Sequence, residues 1–328
     1  VGVTEADVNH AYDLMQGWTA VNGGHFSQLM TPGELEIAFE RAQALLREPA
    51  GYTLRVDAEF REAPGPGTLA VIAGAGSATS AAGAVELILD ASGSMLKRQE
   101  GTRRIAIARD VLTEAVNDWI PEGTPVALRV FGHREPNACR TDLEVPLAPL
   151  DRASMAETIN AINAMNLAKT PIADSLAAAA KDLANANGNV SILILTDGEE
   201  TCEGDPAKAI TALQDAGIDL TLNIVGFAIG DEQTEELFAE WASLGGGRYF
   251  SAADQAGLAT AVSQALQLPF SVYDMEGHLA AEGLVGGEPV ELEAGYYRVV
   301  VKGAEPRVFQ QVEVPGETDI SLDLAGPD

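Results

Sequence analysis

The sequence predicts an α/β protein: a doubly wound, mostly parallel six-stranded sheet with one antiparallel edge strand, a small all-β sandwich and an N-terminal helical segment. Three observations carry this. Between residues 84 and 268 short apolar runs alternate with amphipathic stretches, as in a parallel sheet covered by helices on both faces. After Pro269 the pattern turns to short alternating strands broken by glycine and proline. Ahead of residue 51 apolar residues recur at helical spacing behind recognisable start signals.

Taken in order, Thr4 is an N-cap for a helix carrying Val8, Ala11, Tyr12, Met15 and Trp18 on one face. Thr31, Pro32 and Glu34 supply a cap, an N1 proline and a capping-box acid for a second helix that ends before Pro49. Tyr12, Trp18, Phe39 and Trp119 sit at helical positions and read as core. Tyr52–Phe60 alternates, and the Pro/Gly-rich 63–67 stretch turns it into Thr68–Ala73, so a hairpin is expected. Sheet strands are expected at Val85–Leu89, Pro125–Phe131, Asp142–Pro146, Val190–Thr196, Asp219–Val225 and Arg248–Phe250, with helices near 103–119, 151–164, 171–186, 205–216, 231–243 and 253–267. No crossover helix fits between Phe131 and Asp142, so that pair is antiparallel and lies at an edge. Six short strands follow from Ser271 to Leu324. The expected organisation is 1–50 helical pair, 51–83 hairpin, 84–268 α/β domain and 269–328 β-sandwich, with the hairpin completing the sandwich and the α/β domain inserted between them.

The chain has 328 residues and a net charge of −29, from 20 Lys+Arg against 49 Asp+Glu. That charge is spread as −6 over 1–83, −14 over 84–268 and −9 over 269–328. Such a surface repels phosphate backbones and anionic membranes, so nucleic acid and lipid are not the expected partners. It suits solvation in a salty or extracytoplasmic setting. No stretch reads as a membrane span. The chain opens at Val1 without a basic segment followed by an apolar one, so a signal or anchor is expected to lie upstream or to have been removed.

The chemistry concentrates at strand ends. Asp90-Ala91-Ser92-Gly93-Ser94 closes the first sheet strand with a carboxylate and two alternate hydroxyls, where open α/β sheets place ligands. These are hard oxygen donors, suited to magnesium, manganese or calcium and unsuited to zinc. Thr170 offers another hydroxyl just before a helix, and Asp197 ends a second buried strand. In order and spacing these segments resemble the von Willebrand factor type A (VWA) domain and its metal-ion-dependent adhesion site. The resemblance covers about 84–268 and implies that Asp90, Ser92, Ser94, Thr170 and Asp197 hold Mg²⁺, Mn²⁺ or Ca²⁺, leaving one position for a partner's Asp or Glu. The segments Phe131-Gly132-His133-Arg134 and Asp197 to Cys202 look closest to secreted bacterial members. Lys169 departs from the small residue usual before the Thr, and its cation either weakens the metal or meets an acidic ligand.

His133 and Glu199 join Lys169 as candidate rim residues, against the simpler readings of a surface-loop histidine and a solvated acidic loop. Cys139 and Cys202 follow strands flanking the first one and are expected to form a disulfide bracing the rim, with two free thiols as the alternative. No catalytic set is legible: GxxxxGK[ST] and GxSxG are absent, and Ser92 stands where a phosphotransferase would carry a second acid. The expected function is a non-catalytic module binding a protein carboxylate through a divalent cation. The alternative is a scaffolding subunit of a cell-envelope or chelatase-like assembly whose metal only stabilises loops.

Overall fold

The computed structural model describes residues 65–73 and 82–324. The chain divides into two compact units, Val1–Arg61 and Glu62–Asp328, and all described residues belong to the second. The two expected N-terminal helices and the Tyr52–Phe60 strand lie outside the described residues.

Strand β1 (Gly67–Ile72) is followed by β2 (Ala84–Asp90), the two-residue strands β3 (Arg98–Gln99) and β4 (Thr102–Arg103), and helix α1 (Arg104–Glu114). Then come β5 (Pro125–Phe131), β6 (Thr141–Pro149), α2 (Arg152–Ala161), α3 (Ile172–Asp182) and β7 (Val190–Thr196). The α/β region closes with α4 (Pro206–Asp215), β8 (Leu220–Phe227), α5 (Glu232–Leu244), β9 (Tyr249–Ala252) and α6 (Gln255–Ala265). Its sheet runs β6-β5-β2-β7-β8-β9. Every pair is parallel except β5–β6, in which Phe131 faces Thr141 across the antiparallel edge, as the short connection requires.

Strands β2, β7 and β8 are buried along their whole length, which is why they read as unbroken apolar runs. Val85, Leu87 and Leu89 pack toward α1 and α6, while Ala84 and Ile88 face the side holding Leu176, Ile210 and Phe238. Four helices start on an aspartate whose carboxylate accepts a first-turn N–H: Asp151 from Ser154 (3.1 Å), Asp205 from Lys208 (3.1 Å), Asp231 from Thr234 (2.9 Å) and Asp254 from Gly257 (2.7 Å). Helix α1 runs into a π-helical turn over Ala115–Trp119, where Arg152 donates to the carbonyls of Asn117 (2.6 Å) and Ile120 (2.9 Å).

The C-terminal strands are β10 (Pro269–Tyr273), β11 (Leu279–Leu284), β12 (Val290–Leu292), β13 (Gly295–Val301), β14 (Arg307–Val314) and β15 (Asp319–Asp323). They form a sheet β11-β10-β13-β14 and a second sheet β12-β1-β15. Strand β1, the second arm of the expected hairpin, runs antiparallel to β12 and parallel to β15, so the α/β region is an excursion between two neighbouring strands. Leu69, Val71, Phe270, Val272, Val299 and Phe309 alternate inward into one apolar cluster shared with α6.

Candidate metal centre

Strand β2 is followed in chain order by β5 on one side, and the chain later returns to its other side as β7. The crevice beyond their carboxyl ends is the switch point where such sheets bind ligands. Asp90 is the last residue of β2, and Asp197 directly follows β7. Both are buried, with relative exposures of 0% and 6%.

The turn after β2 is held by its own first residue: Asp90 Oδ1 accepts the N–H of Ser92 at 2.7 Å. The hydroxyls of Ser92 and Ser94 lie 2.9 Å apart, and Ser94 donates to Asp197 Oδ1. The structure thus brings Asp90, Ser92, Ser94 and Asp197 into one connected set. Thr170, 4% exposed, stands on the neighbouring loop. That loop is fixed by Gly93 N–H to the Ala168 carbonyl (3.4 Å) and Met165 N–H to the Ala91 carbonyl (3.1 Å). It is tied to the Asp197 loop reciprocally, Thr170 N–H donating to Thr201 Oγ1 at 2.7 Å and Thr201 N–H to the Thr170 carbonyl at 3.1 Å.

Burial, and then the adjacent charge of Asp197, push the Asp90 carboxyl up to about 7. Arg104 is the counter-charge in contact, its Nη1 2.7 Å from Asp197 Oδ2 and its Nη2 3.2 Å from the Ala228 carbonyl. Of the two buried carboxylates only Asp197 has a cationic contact, and the surrounding donors are oxygens of carboxylates and hydroxyls. A hard divalent cation fits that set.

The rim is braced by the disulfide Cys139–Cys202, which joins the β5–β6 connection to the loop after β7. Glu200 stitches the same loop, accepting from Ala173 N–H at the start of α3 (2.8 Å) and from Cys202 N–H (2.6 Å). Of the expected rim residues, Lys169 is half-buried and has no ion pair among the described residues. Glu199 is exposed, with Oε1 2.5 Å from the Thr234 hydroxyl of α5. His133 is turned inward, its side chain 8% exposed and Nε2 2.9 Å from Glu144 Oε1. His133, Asp142 and Glu144 gather closely enough to suggest a second cation site, but Arg134 already fills it, with Nη2 2.6 Å from Glu144 Oε1.

Four contributors were given no role in the sequence reading. Thr196 donates to Asp90 Oδ2 at 2.7 Å, Arg104 pairs with Asp197, Thr201 receives Thr170, and Gly132 backs the serine turn. Thr196 carried a signal as the hydroxyl preceding a strand-end acid, Gly132 and Thr201 lay in the segments quoted for the resemblance, and Arg104 carried none. Gly132 has φ +76°, and a Cβ on it would sit 2.5 Å from the backbone nitrogen of Ser92. Gly132→Ala is therefore expected to lower stability by more than about 1 kcal/mol through both backbone strain and displacement of that turn. Urea unfolding of the variant measures this, and an unchanged midpoint would mean the turn gives way freely.

A family model for the von Willebrand factor type A domain matches residues 85–200. The Bacillus subtilis proteins YwmD and YwmC, both carrying the description uncharacterized, are 34% and 35% identical over 178 and 181 residues. These alignments span 51% of this chain and 78% of YwmD, and 52% of this chain and 77% of YwmC. A solved von Willebrand factor type A structure from Catenulispora acidiphila is 14% identical, with a TM-score of 0.48 over 80% of this chain and 76% of that one. The chain belongs to the von Willebrand factor type A family, whose domains act as protein-interaction and adhesion modules.

Proposed function

We propose that this chain is a non-catalytic, exported interaction module that grips a carboxylate of a protein partner through a divalent cation held by Asp90, Ser92, Ser94, Thr170 and Asp197. The observation that carries the reading is the connected oxygen set at the carboxyl ends of β2 and β7, two buried carboxylates of which Asp197 alone contacts a cation. When bound, the cation supplies an open coordination position for an Asp or Glu of the partner. Around it, this chain's residues position the donors and shape the rim. Leu167, 62% exposed, offers an apolar contact beside Lys169, whose ammonium has no ion pair among the described residues. A net charge of −29 requires the partner's carboxylate to stand in a neutral or basic surround.

The disulfide supports an oxidising, extracytoplasmic compartment, periplasmic or cell-surface. No helix among the described residues is long and apolar enough to cross a membrane. Magnesium is the ion we favour, with manganese and calcium sharing the same donor preference.

One observation favours the scaffolding reading: Arg104 already gives Asp197 a cation at 2.7 Å. Isothermal titration of Mg²⁺ and Mn²⁺ into chelator-treated protein, beside Asp90→Ala, separates the two. About one equivalent bound by the native chain and none by the variant is expected. Absence of binding to the native chain removes metal-dependent adhesion and leaves the arginine-closed scaffold.

A further inference from the structure

A cleft of about 300 Å³ opens where the α/β region meets the C-terminal strands, away from the metal centre. Its walls include Thr221 and Asn223 of β8, Arg248 just before β9, Gln267 after α6, Glu282 of β11 and Lys302 after β13. That volume suits a small molecule.

We infer that this cleft binds a small oxyanion-bearing ligand, phosphate or carboxylate, through Arg248 and Lys302. Both residues are half-buried, and neither side chain has a hydrogen bond or ion pair among the described residues. In a chain with 49 acids against 20 bases, two half-buried cations in one cleft with no carboxylate paired to either are out of keeping with the rest of the surface. Lys302 Nζ lies 3.7 Å from the Cβ position of Gly246, two residues ahead of Arg248, so the ammonium reaches the segment that carries Arg248.

The simpler role for Lys302 is capping the carboxyl end of α5, and that end is already satisfied. The carbonyls of Trp241, Ala242 and Ser243 accept from Gly245, Gly247 and Gly246, and that of Leu244 accepts from Gln214 Nε2 at 2.7 Å. The one acid lining the cleft, Glu282, is half-buried, with Oε1 3.3 Å from the Ser271 hydroxyl. Gln267 Oε1 is buried without a partner. It is an acceptor suited to the O–H of a monoprotonated phosphate or an N–H of a larger ligand.

The walls are fixed in advance. Arg248 N–H donates to Asn223 Oδ1 (2.9 Å), and Asn223 Nδ2 donates to the Ala265 carbonyl (2.7 Å). Lys302 N–H donates to the Pro269 carbonyl at 3.1 Å. Asn189 N–H reaches the Gly303 carbonyl at 3.2 Å, so the backbone beside Lys302 is pinned to the α/β region. The backbone that carries the guanidinium fork and the ammonium is thus fixed, while the two side chains themselves remain free to close on an oxyanion.

The test is titration of sodium phosphate and, separately, sodium succinate at constant ionic strength into chelator-treated, desalted protein, so that the metal centre is silent. Arg248→Gln, Lys302→Gln and, as an exposed control, Lys208→Gln are titrated alongside, with circular dichroism to verify folding. Saturable binding of at least one anion is expected, weakened about tenfold or more in each cleft variant and unchanged in the control. Phosphate alone would identify a phosphate-bearing ligand, and succinate alone a carboxylate-bearing one. No saturable binding at millimolar anion, or equal binding in folded cleft variants, overturns the inference.

Discussion

Replacing Arg129 with methionine is expected to lower the unfolding free energy by about 3–5 kcal/mol near neutral pH, because it strips Asp182 of its cation and Glu86 of a hydrogen-bond donor. Arg129, its side chain 6% exposed, reaches from β5 to two acids, Glu86 of β2 and Asp182 at the end of α3. Its Nε lies 2.9 Å from Asp182 Oδ2 and 3.3 Å from Glu86 Oε1, its Nη2 also contacts Asp182, and its Nη1 donates to Thr141 Oγ1 at 3.2 Å. Glu86 is wholly buried in β2, and its Oε2 has no partner. The guanidinium sits closer to Asp182, so Asp182 takes most of its charge and Glu86 the remainder. Burial, followed by the Asp182 charge, pushes Glu86 up from 4.5 to about 8 against the lowering pull of Arg129. Methionine fills the aliphatic volume but leaves two buried carboxyls facing each other.

The same site sets a pH dependence of definite sign. Between about 4.5 and 8 the folded state holds a proton on Glu86 that the unfolded chain has released, so stability falls as pH rises through that window. Each unit of displacement corresponds to about 1.4 kcal/mol, which makes the full loss several kcal/mol above pH 8. Glu86→Gln keeps the shape and removes the titration, so its stability profile is expected to be flatter, and Arg129→Met is expected to be partly rescued by it. Urea unfolding at several pH values from about 5 to 9 tests both statements. Parallel profiles for the native chain and Glu86→Gln would refute the assignment.

That cluster also marks where sequence reading stops. Strands β2, β7 and β8 were legible because burial on both faces makes them continuous apolar runs, and β6 because its connection is too short for a crossover. The strand-end oxygens were legible because the turn after β2 packs its donors within five residues. Glu86 sits inside an apolar run, and nothing local reveals that Arg129 and Asp182, 43 and 96 positions away, are its partners. Arg104 reaches Asp197 across 93 positions, and β1 finds β15 across the whole inserted region. His133 sits in a loop sequence that reads as exposed, and its inward turn depends on Glu144 of the edge strand. Period and local capping record an element's own environment, whereas these pairings depend on which strands become neighbours.

Changing Cys139 and Cys202 together to serine is expected to cost about 4 kcal/mol, because the bridge closes a loop with a sequence separation of 63 and restricts the unfolded chain accordingly. The effect reaches the proposed metal centre by a short route. Cys202 follows Thr201, which receives the N–H of Thr170, and its own N–H is held by Glu200, which also accepts from the start of α3. Without the bridge, the loop after β7 keeps these hydrogen bonds but loses its covalent tie to the β5–β6 connection, so the spacing of Thr170 and Asp197 is held less tightly. Denaturant unfolding of the double variant reads the stability loss, and titration of Mg²⁺ into it reads the looser donor set as weaker binding. A stability loss with unchanged metal affinity would show that Glu200 and Thr201 hold the loop unaided, leaving the bridge to act on the unfolded chain alone. A combined loss means that the centre is fully formed only where the thiols are oxidised, which couples binding competence to an oxidising compartment.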